Sequence, residues 1–283
     1  MSKTSISSSI LESKAKKGIG IIPFLTSGYP SIDESEEIVK SLIEENLASA
    51  IEIGIPFSDP IAEGKTIQKS SSIALENGVD IKTTLDLIER INSFKDHNVP
   101  IITMGYYNPI LKMGLENFFS ASSSVGVKGI IIADVPNDEL NKIQKTANNY
   151  NIDTIPLVPL NSSEERVNDA CAMGQGFIYC VSVLGVTGTR ESLSKNIEEK
   201  VRTVKEKTKL PVAVGFGISK PSHVNELKKF ADGAVIGSAI IDVIGESKKS
   251  DNVINVIDFI SKLSKWSNIV IWVKYIKKAM LEE

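Results

Sequence analysis

Eight short β-branched runs recur along the chain, each closed by Gly, Pro, Asn or Asp and separated by stretches with helical periodicity. Repeated strand-helix units of this kind bury their strands in a parallel sheet wrapped by helices. The expected strands are residues 18–26, 48–55, 100–106, 129–135, 153–158, 177–183, 211–216 and 233–236. Helical spacing falls between them, for instance over residues 33–45, 115–125, 138–150, 163–173, 197–207 and 221–230. Such a series can close into a (β/α)8 TIM barrel or stay open as a doubly wound sheet. The first strand lacks the glycine fingerprint of dinucleotide-binding open sheets, and 283 residues suit one barrel. The expectation is a single α/β barrel over residues 1–263.

No Pro/Gly/Ser-rich linker divides the chain. Residues 1–17 are rich in Ser and Lys and carry no apolar run, so they read as a short N-terminal segment, with no signal peptide or membrane span. Residues 264–283 place Trp266, Ile269, Val270, Val273, Ile276 and Met280 at helical spacing, which predicts an extra helix on the barrel. Cys171 and Cys180 fit neither a disulfide framework nor a metal motif and read as core residues in a reducing, cytoplasmic protein. A net charge of −3 and a pI near 5.7 exclude the basic face that nucleic acid requires, and favour a small-molecule ligand.

Active sites of barrels sit at the C-terminal ends of the strands, so polar residues there are the informative ones. In the second strand Ala48, Ala50, Glu52 and Gly54 share one face, and Ile51, Ile53 and Ile55 the other. The isoleucines should meet the helices, which turns Glu52 into the barrel. Desolvation among apolar neighbours raises a carboxyl pKa and makes a proton shuttle near neutral pH. The alternative, a salt-bridged core glutamate, needs a cation, and no expected strand carries Lys or Arg. The following loop brings Asp59 and Glu63 to the same end. Either suits a second acid-base group, while a turn role for Asp59 and a first-turn helix role for Glu63 are the simpler readings.

Gly215-Phe216-Gly217 and Gly237-Ser238 close the last two strands, the second pair directly before a helix. Glycines allow backbone N–H groups to approach an anion, and paired loops at these positions form the recurrent phosphate site of barrels. Gly185 to Arg190 supplies a hinged loop from which Thr187 and Gly188 can reach the same phosphate. No expected strand has a lysine for Schiff-base chemistry, and no His, Cys and carboxylate cluster has metal-ligand spacing, so neither metal nor cofactor is expected. What remains is proton-transfer chemistry on a phosphate ester.

Glu52-Ile53-Gly54-Ile55-Pro56-Phe57-Ser58-Asp59-Pro60 resembles the second-strand signature of tryptophan synthase α chains. Residues 23–30, 104–109, 133–136, 185–188 and 215–218 resemble further motifs of that family in the same order, over roughly residues 10–260. The resemblance implies cleavage of indole-3-glycerol phosphate to indole and glyceraldehyde 3-phosphate. It implies that Glu52 moves a proton at indole C3 and that Glu63 serves at the indole N–H. By the same resemblance Phe24, Tyr106 and Tyr179 surround the indole, and Gly188, Phe216, Gly217, Gly237 and Ser238 hold the phosphate. Asp59, in the loop after the second strand, is expected to bind substrate, and Thr187 matches the lid threonine that closes over the acid in that loop. A β chain carrying pyridoxal phosphate is the implied partner, in an α2β2 tetramer.

Two positions depart from the family pattern. Glu63 stands where the family has aspartate, and Lys65 where proline is usual. Two other readings therefore stay open. One is a different phosphate-binding barrel, such as a sugar-phosphate isomerase, which would need acids on strands 1 and 5, whereas strand 1 ends in Thr26. The other is a non-catalytic allosteric partner of a β chain.

Overall fold

The computed structural model describes residues 5–61, 63–94, 97–181, 190–215 and 217–264. Helix α1 (Ile6–Lys17) precedes β1 (Gly20–Thr26), and α2 (Ile32–Glu44) leads to β2 (Ile51–Gly54). Two helices, α3 (Lys65–Glu76) and α4 (Ile81–Phe94), then reach β3 (Ile101–Gly105); α5 (Tyr107–Met113) and α6 (Leu115–Ser124) reach β4 (Gly129–Ile132). After α7 (Asn137–Asn149) come β5 (Asp153–Thr154) and β6 (Leu157–Pro159), then α8 (Glu164–Met173) and β7 (Ile178–Val181). The chain ends its described part through α9 (Arg190–Lys207), β8 (Val212–Gly215), α10 (Pro221–Leu227), β9 (Gly233–Ile236), α11 (Ser238–Glu246) and α12 (Asn252–Ser264).

All strand pairs are parallel, in the order β5-β4-β3-β2-β1-β9-β8-β7-β6. The single fifth strand expected over residues 153–158 is in fact two, because Pro156 has no N–H to give to a ladder. The break does not open the barrel. The Ile155 N–H bonds the Ile130 carbonyl at 2.9 Å, and the Pro156 carbonyl accepts from Tyr179 N–H at 3.2 Å. The interrupted strand therefore closes the ring between β4 and β7. Several strands are a residue or more shorter than their apolar runs, yet ladder bonds extend beyond β2 through Ser49 N–H to Ile21 and Ile55 N–H to Met104.

Alternation sorts the strand residues into two layers. Ile22, Phe24, Ala50, Ile102, Ile131, Ile155, Phe177, Tyr179, Ala213 and Val235 fill the lumen. Ile51 and Ile53, with Leu25, Cys180 and Val214, face the helices. Ala48 precedes the strand and packs outward as well. Cys180 is buried and Cys171 half-buried, both as free thiols.

The short N-terminal segment forms helix α1 over most of its length. Ser5 caps α1 by accepting the Ser8 N–H at 3.1 Å, and Gly18 ends it at φ 85°. Ile6 and Ile10, one turn apart, insert into the lumen cluster. Ser7 Oγ donates to the Gly176 carbonyl and Ser9 Oγ to the Ser49 carbonyl at 2.5 Å, which ties α1 across the N-terminal mouth of the barrel. Among the described residues no helix is long and apolar enough to cross a membrane. The helix expected over residues 264–283 lies, apart from Ser264, outside the described residues.

Candidate active site

A cavity of about 210 Å³ opens at the C-terminal end of the barrel. Phe24 and Glu52, register partners on β1 and β2, form part of its wall. Glu63 and Gly64 enter from the loop before α3, Tyr179 from β7, Gly215 and Gly217 from the end of β8, and Gly237 and Ser238 from the start of α11. Of the site residues expected from sequence, Phe24, Glu52, Glu63, Tyr179, Gly217, Gly237 and Ser238 are thus brought together. Asp59 is not among them; it is exposed, and its carboxylate accepts from Ser58 Oγ at 2.5 Å. Tyr106 is buried and stacks on Phe57 with ring centroids 4.9 Å apart, and it is not among the residues that line the cavity. Thr187, Gly188 and Phe216 lie outside the described residues.

Glu52 is 1% exposed, and neither carboxyl oxygen has a hydrogen-bond partner. Burial, then the nearby Glu63, push its pKa up to about 8. Burial also lifts Glu63 to about 7, and its Oε2 has no hydrogen-bond partner. Tyr179 is held well above the ordinary phenol value by burial and by Glu52. Among the described residues no lysine or arginine lines the cavity, so nothing there neutralises either acid. Two neighbouring carboxyls whose charges repel titrate in separate steps, with one protonated while the other ionises.

The linkage has a definite sign. A glutamate raised from 4.5 to about 8 stabilises the fold fully below pH 4.5, and that stability is lost as pH rises toward 8. A loss on the order of a few kcal/mol is expected over this window. Thermal unfolding of wild type and Glu52→Gln between pH 4 and 9 checks it. The wild-type curve should fall more steeply across neutrality than the variant's, and parallel curves would contradict the buried, unpaired state.

Glycines make room for two of the lining rings. A Cβ at Gly54 would stand 2.6 Å from Phe24 Cζ, and one at Gly215 would stand 2.5 Å from Tyr179 Oη, so both rings sit where only glycine leaves room. Gly217 turns at φ 43° beside the start of α11. The N–H groups of Ser238 and Ala239, in the first turn of α11, have no helical acceptor, and Gly237 and Ser238 at that end line the cavity. The lining also includes Ile67, Met104, Leu157, Val181, Ile218 and Val235, which sequence reasoning did not single out. Met104 and Val181 were findable, because each is two residues beyond a lumen residue, Ile102 and Tyr179. The arrangement brings two carboxyls of raised pKa, the Phe24 and Tyr179 rings and the N-terminal end of α11 to one cavity.

Residues 10–268 match the family model for the tryptophan synthase alpha chain. The chain is 41% identical over 257 residues to a tryptophan synthase alpha chain of Thermoanaerobacter sp. (strain X514), covering 90% of this chain and 96% of that protein. It is 44% identical over 236 residues to the corresponding chain of Caldanaerobacter subterraneus subsp. tengcongensis, covering 83% and 88%. In three dimensions it superposes with a TM-score of 0.80 and 37% identity on a chain from the tryptophan synthase α2β2 complex of Pyrococcus furiosus, covering 87% of this chain and 98% of that one.

Proposed function

The chain belongs to the tryptophan synthase alpha chain family, and from that premise we propose that Glu52 and Glu63 drive its cleavage of indole-3-glycerol phosphate to indole and glyceraldehyde 3-phosphate. The observation that carries the assignment is the pair of unneutralised carboxyls in one cavity, with the higher pKa on the more buried acid. At neutral pH Glu52 holds its proton and can donate it, while Glu63 is partly ionised and can accept from an N–H.

Glu52 delivers its proton to indole C3, which places positive charge on the ring. Glu63 holds the ring N–H as that charge develops. The bond from C3 to the carbinol carbon then breaks, its electrons return to the ring, and the hydroxyl proton passes to the Glu52 carboxylate as the carbinol becomes an aldehyde. Glu52 ends the cycle protonated. The extra methylene of Glu63 relative to the family's aspartate does not keep it out of the cavity, since it lines the wall with Glu52. That placement favours an active lyase over the non-catalytic reading. Gly217, Gly237 and Ser238 suit the phosphate, and Phe24 and Tyr179 the indole.

The alpha reaction calls on no cofactor of its own; pyridoxal phosphate is expected in the β chain, which completes an α2β2 assembly. Ile61, 77% exposed on the loop after β2, and Leu111, 51% exposed on α5, support a docking face around the cavity mouth. Indole release from indole-3-glycerol phosphate, measured with and without a β chain, tests the function. Turnover stimulated by the β chain is expected, with a bell-shaped profile peaking between pH 7 and 8, because Glu63 must ionise and Glu52 must not. No indole under any condition would remove the lyase reading.

A further inference from the structure

Helix α3 begins two residues after Glu63, so its rotation and height on the barrel decide where that carboxyl can reach. Most of what holds a helix on a barrel is apolar contact, which is non-directional. Here a buried polar link is added. Thr26, at the end of β1, and Ser70, in α3, are 1% and 0% exposed, and their hydroxyl oxygens are 2.6 Å apart. Ser70 Oγ also donates to the Ile67 carbonyl at 2.8 Å, which leaves the Thr26 hydroxyl as donor to Ser70. Ile67 lines the cavity, and one residue further Gln68 Nε2 donates to the Glu63 carbonyl at 2.9 Å. The far end of α3 is fastened to the same β1 loop, where Asn77 Nδ2 donates to the Pro30 carbonyl at 2.9 Å and to that of Gly28 at 3.3 Å.

We propose that Thr26 and Ser70 are positioning residues, a buried hydroxyl clasp between β1 and α3 that holds Glu63 in the cavity beside Glu52. The inference rests on the acid-base role given to Glu63 above. Neither hydroxyl lines the cavity, so the clasp acts through the helix and touches no substrate. The charged and titratable groups sharing the cavity with Glu63 among the described residues are Glu52 from β2 and Tyr179 from β7, while Lys65 on α3 is exposed. A loosened α3 lets water reach Glu63, and hydration returns a carboxyl toward its ordinary value.

The test compares Thr26→Val, Ser70→Ala, the double variant, Thr26→Ser and Glu63→Gln, each assembled with the β chain. Indole release and thermal unfolding are followed across pH. Loss of the clasp should lower kcat about ten- to a hundredfold through misplacement of the acid. KM should stay within roughly threefold, since no binding group is removed. The acidic limb of the kcat profile should move down from about 7, the double variant should be no worse than the worse single one, and Thr26→Ser should restore both rate and profile. A lowered Tm with unchanged kcat and an unmoved acidic limb would overturn the clasp as a positioning device. Full turnover by Glu63→Gln would overturn the acid-base reading and the clasp with it. Loss in Glu63→Gln beside full turnover in Thr26→Val would overturn the clasp alone.

Discussion

Glu52→Gln is expected to reduce indole release about a thousandfold, within the range that one positioned acid-base group supplies. The substitution keeps the shape of the side chain and removes only its capacity to hand over and recover a proton. Phe24 and the glycines proposed to hold the phosphate, Gly217 and Gly237, are untouched, so a phosphate-bearing substrate analogue should bind as before. The fold should not suffer either. Both Glu52 oxygens already lack partners, and an amide has no ionised form to desolvate at pH 8. Single-turnover kinetics, analogue titration and unfolding curves together separate these effects. Near-wild-type turnover would show that C3 receives its proton from elsewhere, whereas loss of analogue binding would point to damage of the pocket.

Asp232→Ala should destabilise the fold by about 3 kcal/mol, or roughly 6–12 °C in Tm for a domain of this size, more than Glu52→Gln, Thr26→Val or Ser70→Ala. Asp232 is 3% exposed and joins three elements at the N-terminal end of the barrel. Its Oδ1 accepts from Lys14 of α1 and, at 2.8 Å, from Lys205 of α9, while Oδ2 accepts the Val212 N–H at 2.9 Å. Burial raises its pKa, but the two ammonium groups and the Val212 N–H outweigh that and hold it below 3.8. Its stabilisation is therefore complete above that value and is lost as pH falls through the depressed one. Removal takes the carboxylate from two half-buried lysines and leaves a buried N–H without its acceptor at once. Asp232→Asn, which can still accept at one oxygen, should cost less. Equal Tm values for wild type and Asp232→Ala at pH 7 would mean that the lysines escape to solvent without penalty.

The ring of strands is legible in the sequence because each has a β-branched run ended by a turn residue. The break in its fifth member is not, because Ile155-Pro156 sits inside an apolar stretch and only the neighbouring strands show that the ladder passes from β4 to β7 at that point. Helix α1 escapes notice for a related reason. It contributes only Ile6 and Ile10 to the core amid serines and lysines, too few apolar positions to reveal a period. Glu52 is readable from strand alternation alone. The choice between Asp59 and Glu63 is not, since a loop has no period to say which acid turns inward; the structure turns Glu63 in and leaves Asp59 to solvent. Tyr106, matched by family resemblance to the indole pocket, stacks on Phe57 and is not among the residues that line the described cavity.

The helix that lies across the N-terminal mouth makes the barrel a blind vessel. Among the described residues Ile6 and Ile10 form its stopper, which leaves reactant and both products the opposite end, beside Glu63 and the rim glycines. The order of departure then governs the next arrival, and a subunit that takes up one product has to meet it at that threshold.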